Sequence, residues 1–296
     1  MAHHCEPDIE QKFHQLLHRE GIEADLSEQL YSAYLPVAKW VARQPQPFVV
    51  GINGAQGSGK STLSQILKLL LQQQHRLNVA TLSIDDLYKS HAERQLMAHE
   101  THPLFATRGV PGTHDLSLGT ETIRSLLSDE TTTIPRFDKL TDNPKPRSEW
   151  PLFEGVADVV IFEGWCIGAT PQHEELLSRP VNSLEQLEDP DGGWRRFVNR
   201  QLQHHYPALF EPIDALIMLE IPQFEKVQEW RSLQESKLSA DNENLRPMDS
   251  EEMERFIMHF ERLTRHMLAE MPERADILLS LNHKHQIDKI KFANNR

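Results

Sequence analysis

Eight consecutive residues, Gly54-Ala55-Gln56-Gly57-Ser58-Gly59-Lys60-Ser61, follow the pattern G-x-x-x-x-G-K-[ST], the spacing at which a backbone can wrap a chain of phosphates. The glycines remove the side chains that would keep amides from closing on an oxyanion. A helix N-terminus adds its partial positive charge, Lys60 can reach the outer phosphates, and the Ser61 hydroxyl can hold Mg²⁺. Thr62 continues the run and is counted with it as a nucleotide contact. A glycine-rich turn that merely opens a helix is the bland alternative, and the flanks argue against it. Phe48-Val49-Val50-Gly51-Ile52 is an apolar run of strand length, and Leu63, Ile66, Leu67, Leu70 and Leu71 repeat at the spacing of a buried helix face.

A loop of this kind binds a nucleoside triphosphate without naming the reaction, so the acids at neighbouring strand ends matter next. Ligands gather at the carboxyl ends of strands in open parallel sheets. The apolar run ending at Ile84 leads into Asp85-Asp86-Leu87-Tyr88. Asp85 is the candidate base that takes a proton from an attacking hydroxyl, while Asp86 reads equally as a helix N-cap. Val159-Val160-Ile161-Phe162 ends in Glu163-Gly164, a buried strand closing on an acid, which makes Glu163 with Ser61 the candidate Mg²⁺ pair.

These residues need a sheet to hold them. From Phe48 onward, strand-length apolar runs alternate with helical patterns: residues 79–84, 132–135, 156–162, 215–219 and 277–279. Such alternation predicts an α/β fold with a mostly parallel sheet and helices on both faces. Residues 8–20 and 26–42 read as a helical N-terminal extension packed on the core, giving an expected division into 1–47 and 48–296. Residues 100–116 and 135–151, rich in proline and glycine, read as long binding loops, and 165–212 as an irregular insertion. The stretches 222–237 and 249–270 read as charged amphipathic helices.

Composition narrows the classes. With 44 acidic residues against 31 Lys and Arg, the chain carries a formal charge of −13. Nucleic-acid binding through many phosphate contacts is therefore not expected. No apolar run approaches the roughly 18 residues of a membrane span. The polar, acidic start from Met1 to Asp8 resembles neither a secretory nor a transit signal, so the expected location is the cytoplasm. Cys5 and Cys166 give no disulfide framework, and Cys166 reads as a packing residue. His14 and His18 stand one helical turn apart with no third ligand evident, and His3-His4-Cys5 could chelate only weakly.

Taken together, Gly54–Ser61, Ser83-Ile84-Asp85-Asp86-Leu87-Tyr88, His102-Pro103-Leu104, Arg108-Gly109-Val110-Pro111-Gly112-Thr113-His114-Asp115, Pro135-Arg136-Phe137-Asp138-Lys139 and Phe162-Glu163-Gly164-Trp165 resemble the P-loop D-glycerate 3-kinases. These are relatives of uridine kinase, phosphoribulokinase and bacterial pantothenate kinase. The resemblance runs over roughly residues 48–281, and its most specific part is the R-G-x-P-G-T-H-D segment. It implies a P-loop NTPase fold with a helical lid, ATP and Mg²⁺ as cofactors, and a small hydroxy acid as acceptor.

Such an acceptor needs a cationic clamp for its carboxylate, and Arg108, His114, Arg136 and Lys139 lie in the two long loops. Residues 132–148 carry four cations (Arg136, Lys139, Lys145, Arg147) against Asp138 and Asp142, a local surplus in an acidic chain; surface salt-bridge partners would explain each singly. Trp230-Arg231 resembles the helical lid of the related kinases, which makes Arg231 the candidate for neutralising charge on the transferring phosphate, with an ordinary helical pair to Glu235 as its alternative. Arg262 and Arg265 read rather as structural helix charges. Phe137 and Phe260 replace tyrosines common in the relatives, which touches acceptor selectivity and not the kinase class. Another P-loop metabolite kinase, or an ATP-binding regulator, stays open as an alternative, and the sequence is silent on oligomeric state.

Overall fold

The computed structural model of the chain describes residues 7–20, 22, 27–232 and 248–293. His3, His4, Cys5, Gln234 and Glu235 lie outside them, as does the later part of the helix expected over 222–237. In chain order the strands are β1 (Phe48–Gly54), β2 (Val79–Ser83), β3 (Thr132–Thr133), β4 (Phe137–Asp138), β5 (Asn143–Pro144), β6 (Leu152–Phe153), β7 (Val159–Gly164), β8 (Ala215–Glu220), β9 (Ile277–Leu281) and β10 (Ile287–Phe292). The α-helices are α1 (Pro7–Arg19), α2 (Ser27–Ala42), α3 (Lys60–His75), α4 (His91–Glu100), α5 (Leu116–Leu126), α6 (Ser183–Glu188), α7 (Gly193–His204), α8 (Tyr206–Phe210), α9 (226–232) and α10 (Ser250–Glu270).

The main sheet runs β10-β9-β8-β1-β7-β2, parallel throughout except for β10. Every residue of β1 and β7 is buried, as strands covered on both faces must be. Side chains alternate between the two covers. Val50, Ile52, Val159, Ile161, Ile217 and Leu219 join the core formed with α1, α2 and α3. Val49, Val160, Phe162, Leu216 and Met218 join the other, with α5, α8 and part of α10. On α3, Leu63, Ile66, Leu67, Leu70 and Leu71 are fully buried. Each such side chain contributes about 1.5–3 kcal/mol, so the helix that follows the glycine loop is fastened to the sheet along its length. Phe13, Leu16 and Leu17 of α1 and Val37, Ala38 and Val41 of α2 belong to the same cluster.

An aspartate precedes each of three strands and ties it to its neighbour. The carboxylates of Asp158, Asp214 and Asp276 accept the backbone N–H of Asn78 (2.7 Å), Val49 (2.7 Å) and Leu216 (2.8 Å), at the starts of the adjoining strands. The sheet edge opposite the glycine loop is thereby pinned in register.

Three sequence expectations need correction. Thr132-Thr133 does not join the parallel sheet; it pairs antiparallel with β6 in a two-stranded sheet of its own. Residues 165–212 are largely helical, containing α6, α7 and α8, because short apolar stripes such as Trp194, Val198 and Leu202 recur there at helical spacing. The antiparallel β10 was not foreseen: Ile287, Ile290 and Phe292 are only partly buried, so its apolar signal is weak.

Candidate active site

The glycine loop leaves β1 and enters α3 with Gly57 at φ 76° and Gly59 at φ 94°, left-handed conformations that glycine adopts without penalty. Gly59 occupies the N-cap of α3 and no side chain satisfies the first-turn amides. Those donors, with the helix dipole, make an anion site of the helix end. A Cβ on Gly57 would lie 2.9 Å from the carbonyl carbon of Trp230 and 3.1 Å from the nitrogen of Arg231. The α9 backbone at Trp230 and Arg231 therefore rests on the phosphate loop. The Ser58 hydroxyl and Gln56 Oε1 are buried without partners. Thr62 is half-buried, and its hydroxyl donates to Glu20 just past α1 (3.3 Å), which leaves only its backbone for the nucleotide contact expected of it.

Strand periodicity places Glu163. It shares the parity of Val159 and Ile161 and so faces α3, where the Ser61 hydroxyl donates to its Oε1 at 3.2 Å. Its Oε2 is buried and unpartnered. Burial pushes the carboxyl above its ordinary value, against the pull of the Lys60 charge. An orphaned buried carboxylate oxygen beside a serine hydroxyl is an oxygen-donor set that suits Mg²⁺.

Ser83 caps the 3₁₀ turn Ile84–Leu87 by accepting the Asp85 N–H, so Asp86 is not the cap. Asp86 instead secures the loop opposite, accepting the Phe137 N–H (2.9 Å) and an Arg136 N–H (3.2 Å). Asp85 Oδ1 accepts the Tyr88 hydroxyl at 2.8 Å and Oδ2 accepts Lys139 Nζ at 2.7 Å. Burial opposes its charge, but Lys139 and Lys60 together with those hydrogen bonds prevail and hold the carboxyl far below the usual range. Tyr88 is held protonated by burial and by the neighbouring Asp85 charge.

Each candidate clamp residue of the two long loops already has a partner among the described residues. Arg108 donates to Asp142 Oδ1 (2.6 Å), a carboxylate shared with the buried Arg94 and with His91 (3.0 Å). Arg136 is engaged by Asp86 and by its neighbour's carbonyl at Pro135 (2.8 Å). His114 is 2% exposed, stacked on Tyr88 with centroids 4.8 Å apart. Its Nδ1 is hydrogen-bonded to the Tyr206 hydroxyl, which also accepts the Gly112 N–H (2.9 Å). Burial pushes its pKa down to about 3, so it is a neutral spacer and not a cation. Tyr88, Asp142, Arg94 and Tyr206 were missed. Only Tyr88, three residues beyond Asp85 in a tight turn, leaves a local trace of its role.

Arg231 lies over the Phe256 ring at 5.7 Å, and Trp230 stacks on His285 at 4.2 Å. Arg262 grips Glu185 (2.7 and 2.6 Å), and Arg265 pairs with Glu261 and Glu225 (2.8 and 2.7 Å), ion pairs that are structural in kind. Cys166 is buried among apolar neighbours. His14 and His18 are both exposed on α1.

A phosphate loop between β1 and α3, with acids at the ends of β7 and then β2 on one side of it, is the layout of a P-loop nucleotide-binding site. Residues 49–172 match the Phosphoribulokinase / Uridine kinase family. Over 239 residues the chain is 34% identical to the uncharacterized kinase mug58 of Schizosaccharomyces pombe, covering 76% of this chain and 83% of that one. The chain belongs to this family. It is also 30% identical over 255 residues to the chloroplastic D-glycerate 3-kinase of Arabidopsis thaliana, with 78% of this chain and 53% of that one covered. In solved structures, D-glycerate 3-kinase from Cryptococcus neoformans var. grubii superposes with a TM-score of 0.72 at 24% identity, over 88% of this chain and 99% of that one. Among the described residues no helix is long and apolar enough to cross a membrane.

Proposed function

We propose that the protein transfers the γ-phosphoryl group of ATP to the 3-hydroxyl of D-glycerate, giving 3-phosphoglycerate. The observation that carries the acceptor class is the position of Lys139 on Asp85, with Arg108 and Arg136 on the same loops, at the end of β2 beside the phosphate loop. A carboxylate-bearing alcohol can there meet a cation and a base together. The resemblance of the Arg108–Asp115 segment to glycerate kinases and the name of the Arabidopsis relative support the same reading.

In this reading the amides of Gly57 to Lys60 and the Lys60 ammonium hold the β- and γ-phosphates, a matter of position and charge more than of covalent chemistry. Ser61 and Glu163 would hold Mg²⁺, which supplies shielding of the phosphate oxygens. Asp85 accepts the acceptor's proton as the oxygen–phosphorus bond forms and the bond to the departing ADP oxygen breaks. Arg231, carried on α9, compensates the charge that spreads over the transferring group.

The test is product identification by ³¹P and ¹³C NMR after incubation with MgATP and D-glycerate. A phosphomonoester on carbon 3 is expected. Inert D-glycerate alongside phosphorylation of a nucleoside, pantothenate or a sugar derivative would overturn the acceptor and keep the kinase.

A further inference from the structure

Both oxygens of the proposed base are already engaged, and the two partners differ in how firmly they are held. Tyr88 is 6% exposed and stacked on His114, so its hydroxyl cannot leave Asp85 without disturbing the core. Lys139 is the opposite case. Its side chain is 59% exposed and stands at the turn between β4 and β5. The turn itself is firm: the Phe137 N–H is held by Asp86, and Asp138 accepts the Leu140 N–H (2.9 Å) and the Thr141 hydroxyl (3.0 Å). What can move is the lysine's four-carbon stem. Its ammonium stands in solvent, so it can trade Asp85 for another anion of like charge without being desolvated.

Arg108 and Arg136 are paired with Asp142 and Asp86, carboxylates that have other structural duties. Lys139 alone of these three is paired with the base. We propose that Lys139 is a latch: it occupies Asp85 until an acceptor carrying a carboxylate draws the ammonium away, so that the base is uncovered only when an anionic alcohol is in place. This deepens the proposed function and rests on Asp85 being the base. Water and neutral alcohols offer the ammonium no anion and leave Asp85 covered, which restrains hydrolysis of ATP in the absence of acceptor. In that side reaction a water oxygen bonds to the γ-phosphorus as the bond to the ADP oxygen breaks, the proton goes to Asp85, and ADP and inorganic phosphate leave.

The experiment compares wild type, Lys139→Met, Lys139→Arg and the Asp85→Asn/Lys139→Met double variant in MgATP alone, in MgATP with D-glycerate, and in MgATP with glycerol, the same alcohol skeleton without the charge. Lys139→Met should raise acceptor-free phosphate release about tenfold, raise the KM for D-glycerate about tenfold, and narrow the preference for D-glycerate over glycerol. Lys139→Arg keeps the charge and should hold acceptor-free phosphate release below that of Lys139→Met. The gain in hydrolysis should vanish in the double variant. Unchanged or reduced hydrolysis in Lys139→Met overturns the latch. So does a gain that survives Asp85→Asn, or an unaltered KM for D-glycerate. The MgATP-only arm does not depend on the acceptor: if wild type ignores D-glycerate, the acceptor assignment falls while that arm still decides whether Lys139 restrains Asp85.

Discussion

The two ends of the proposed active site hold their candidate anion-binding groups in opposite ways. At the phosphate end the donors are backbone amides and a helix terminus, presented without side-chain partners by Gly57 and Gly59 and backed by the fully buried leucines of α3. At the acceptor end each cation sits on a carboxylate: Arg108 on Asp142, Arg136 on Asp86, Lys139 on Asp85. Backbone donors cannot rearrange, which suits a nucleotide common to the whole family. Paired side chains must exchange partners to bind, which would suit the small anionic acceptor proposed above.

The largest expected effect breaks the acceptor end alone. Asp85→Asn should lower kcat for transfer by about 10³-fold while calorimetric titration finds MgATP affinity nearly unchanged; turnover close to wild type would remove Asp85 from its role. A smaller effect isolates the phosphate end. Gly57→Ala puts a side chain at φ 76° and within 2.9 Å of Trp230, so the Kd of MgATP should rise about tenfold or more, read with a non-hydrolysable analogue. If affinity held, the α9 backbone would not be seated on the loop in solution.

The smallest concerns the packing beneath the acceptor end. Burial depresses the pKa of His114 to about 3 and that of His259 to about 4. An unfolded chain titrates its histidines near pH 6.5 and so binds more protons than the folded one between about pH 6.5 and 4. Stability should therefore fall as pH drops through that window, by both groups. A His114→Gln variant, whatever its stability at pH 7.5, should lose less Tm between pH 7 and pH 4 than wild type. An identical loss would place a charged His114 in the fold.

The same contrast decides what the sequence could disclose. The phosphate loop, α3, the strand leading to Glu163 and the parity that turns Glu163 toward Ser61 all arise from neighbours within a few residues, and such patterns are written locally. The partners of the loop cations are not. Lys139 meets Asp85 across 54 positions and Arg108 meets Asp142 across 34, and no periodicity marks either pair. His114 misled for a related reason: a histidine in a loop reads as polar and reachable, yet Tyr206, 92 positions on, and Tyr88 enclose it. The short strand pair at Thr132 misled because two residues of β-rich sequence look alike in any sheet.

The aspartates before β7, β8 and β9 give the site its datum plane. Because Asp158 fixes where β7 begins relative to β2, the height of Glu163 above that plane is a count of residues along the strand, and its facing is the parity of that count. One residue inserted between Asp158 and Glu163 would carry the acid to the face where Phe162 now packs, away from Ser61. The catalytic rim can thus exchange its loops, as a graduated instrument exchanges its tips, provided the zero mark at the far edge of the sheet stays where Asp158, Asp214 and Asp276 set it.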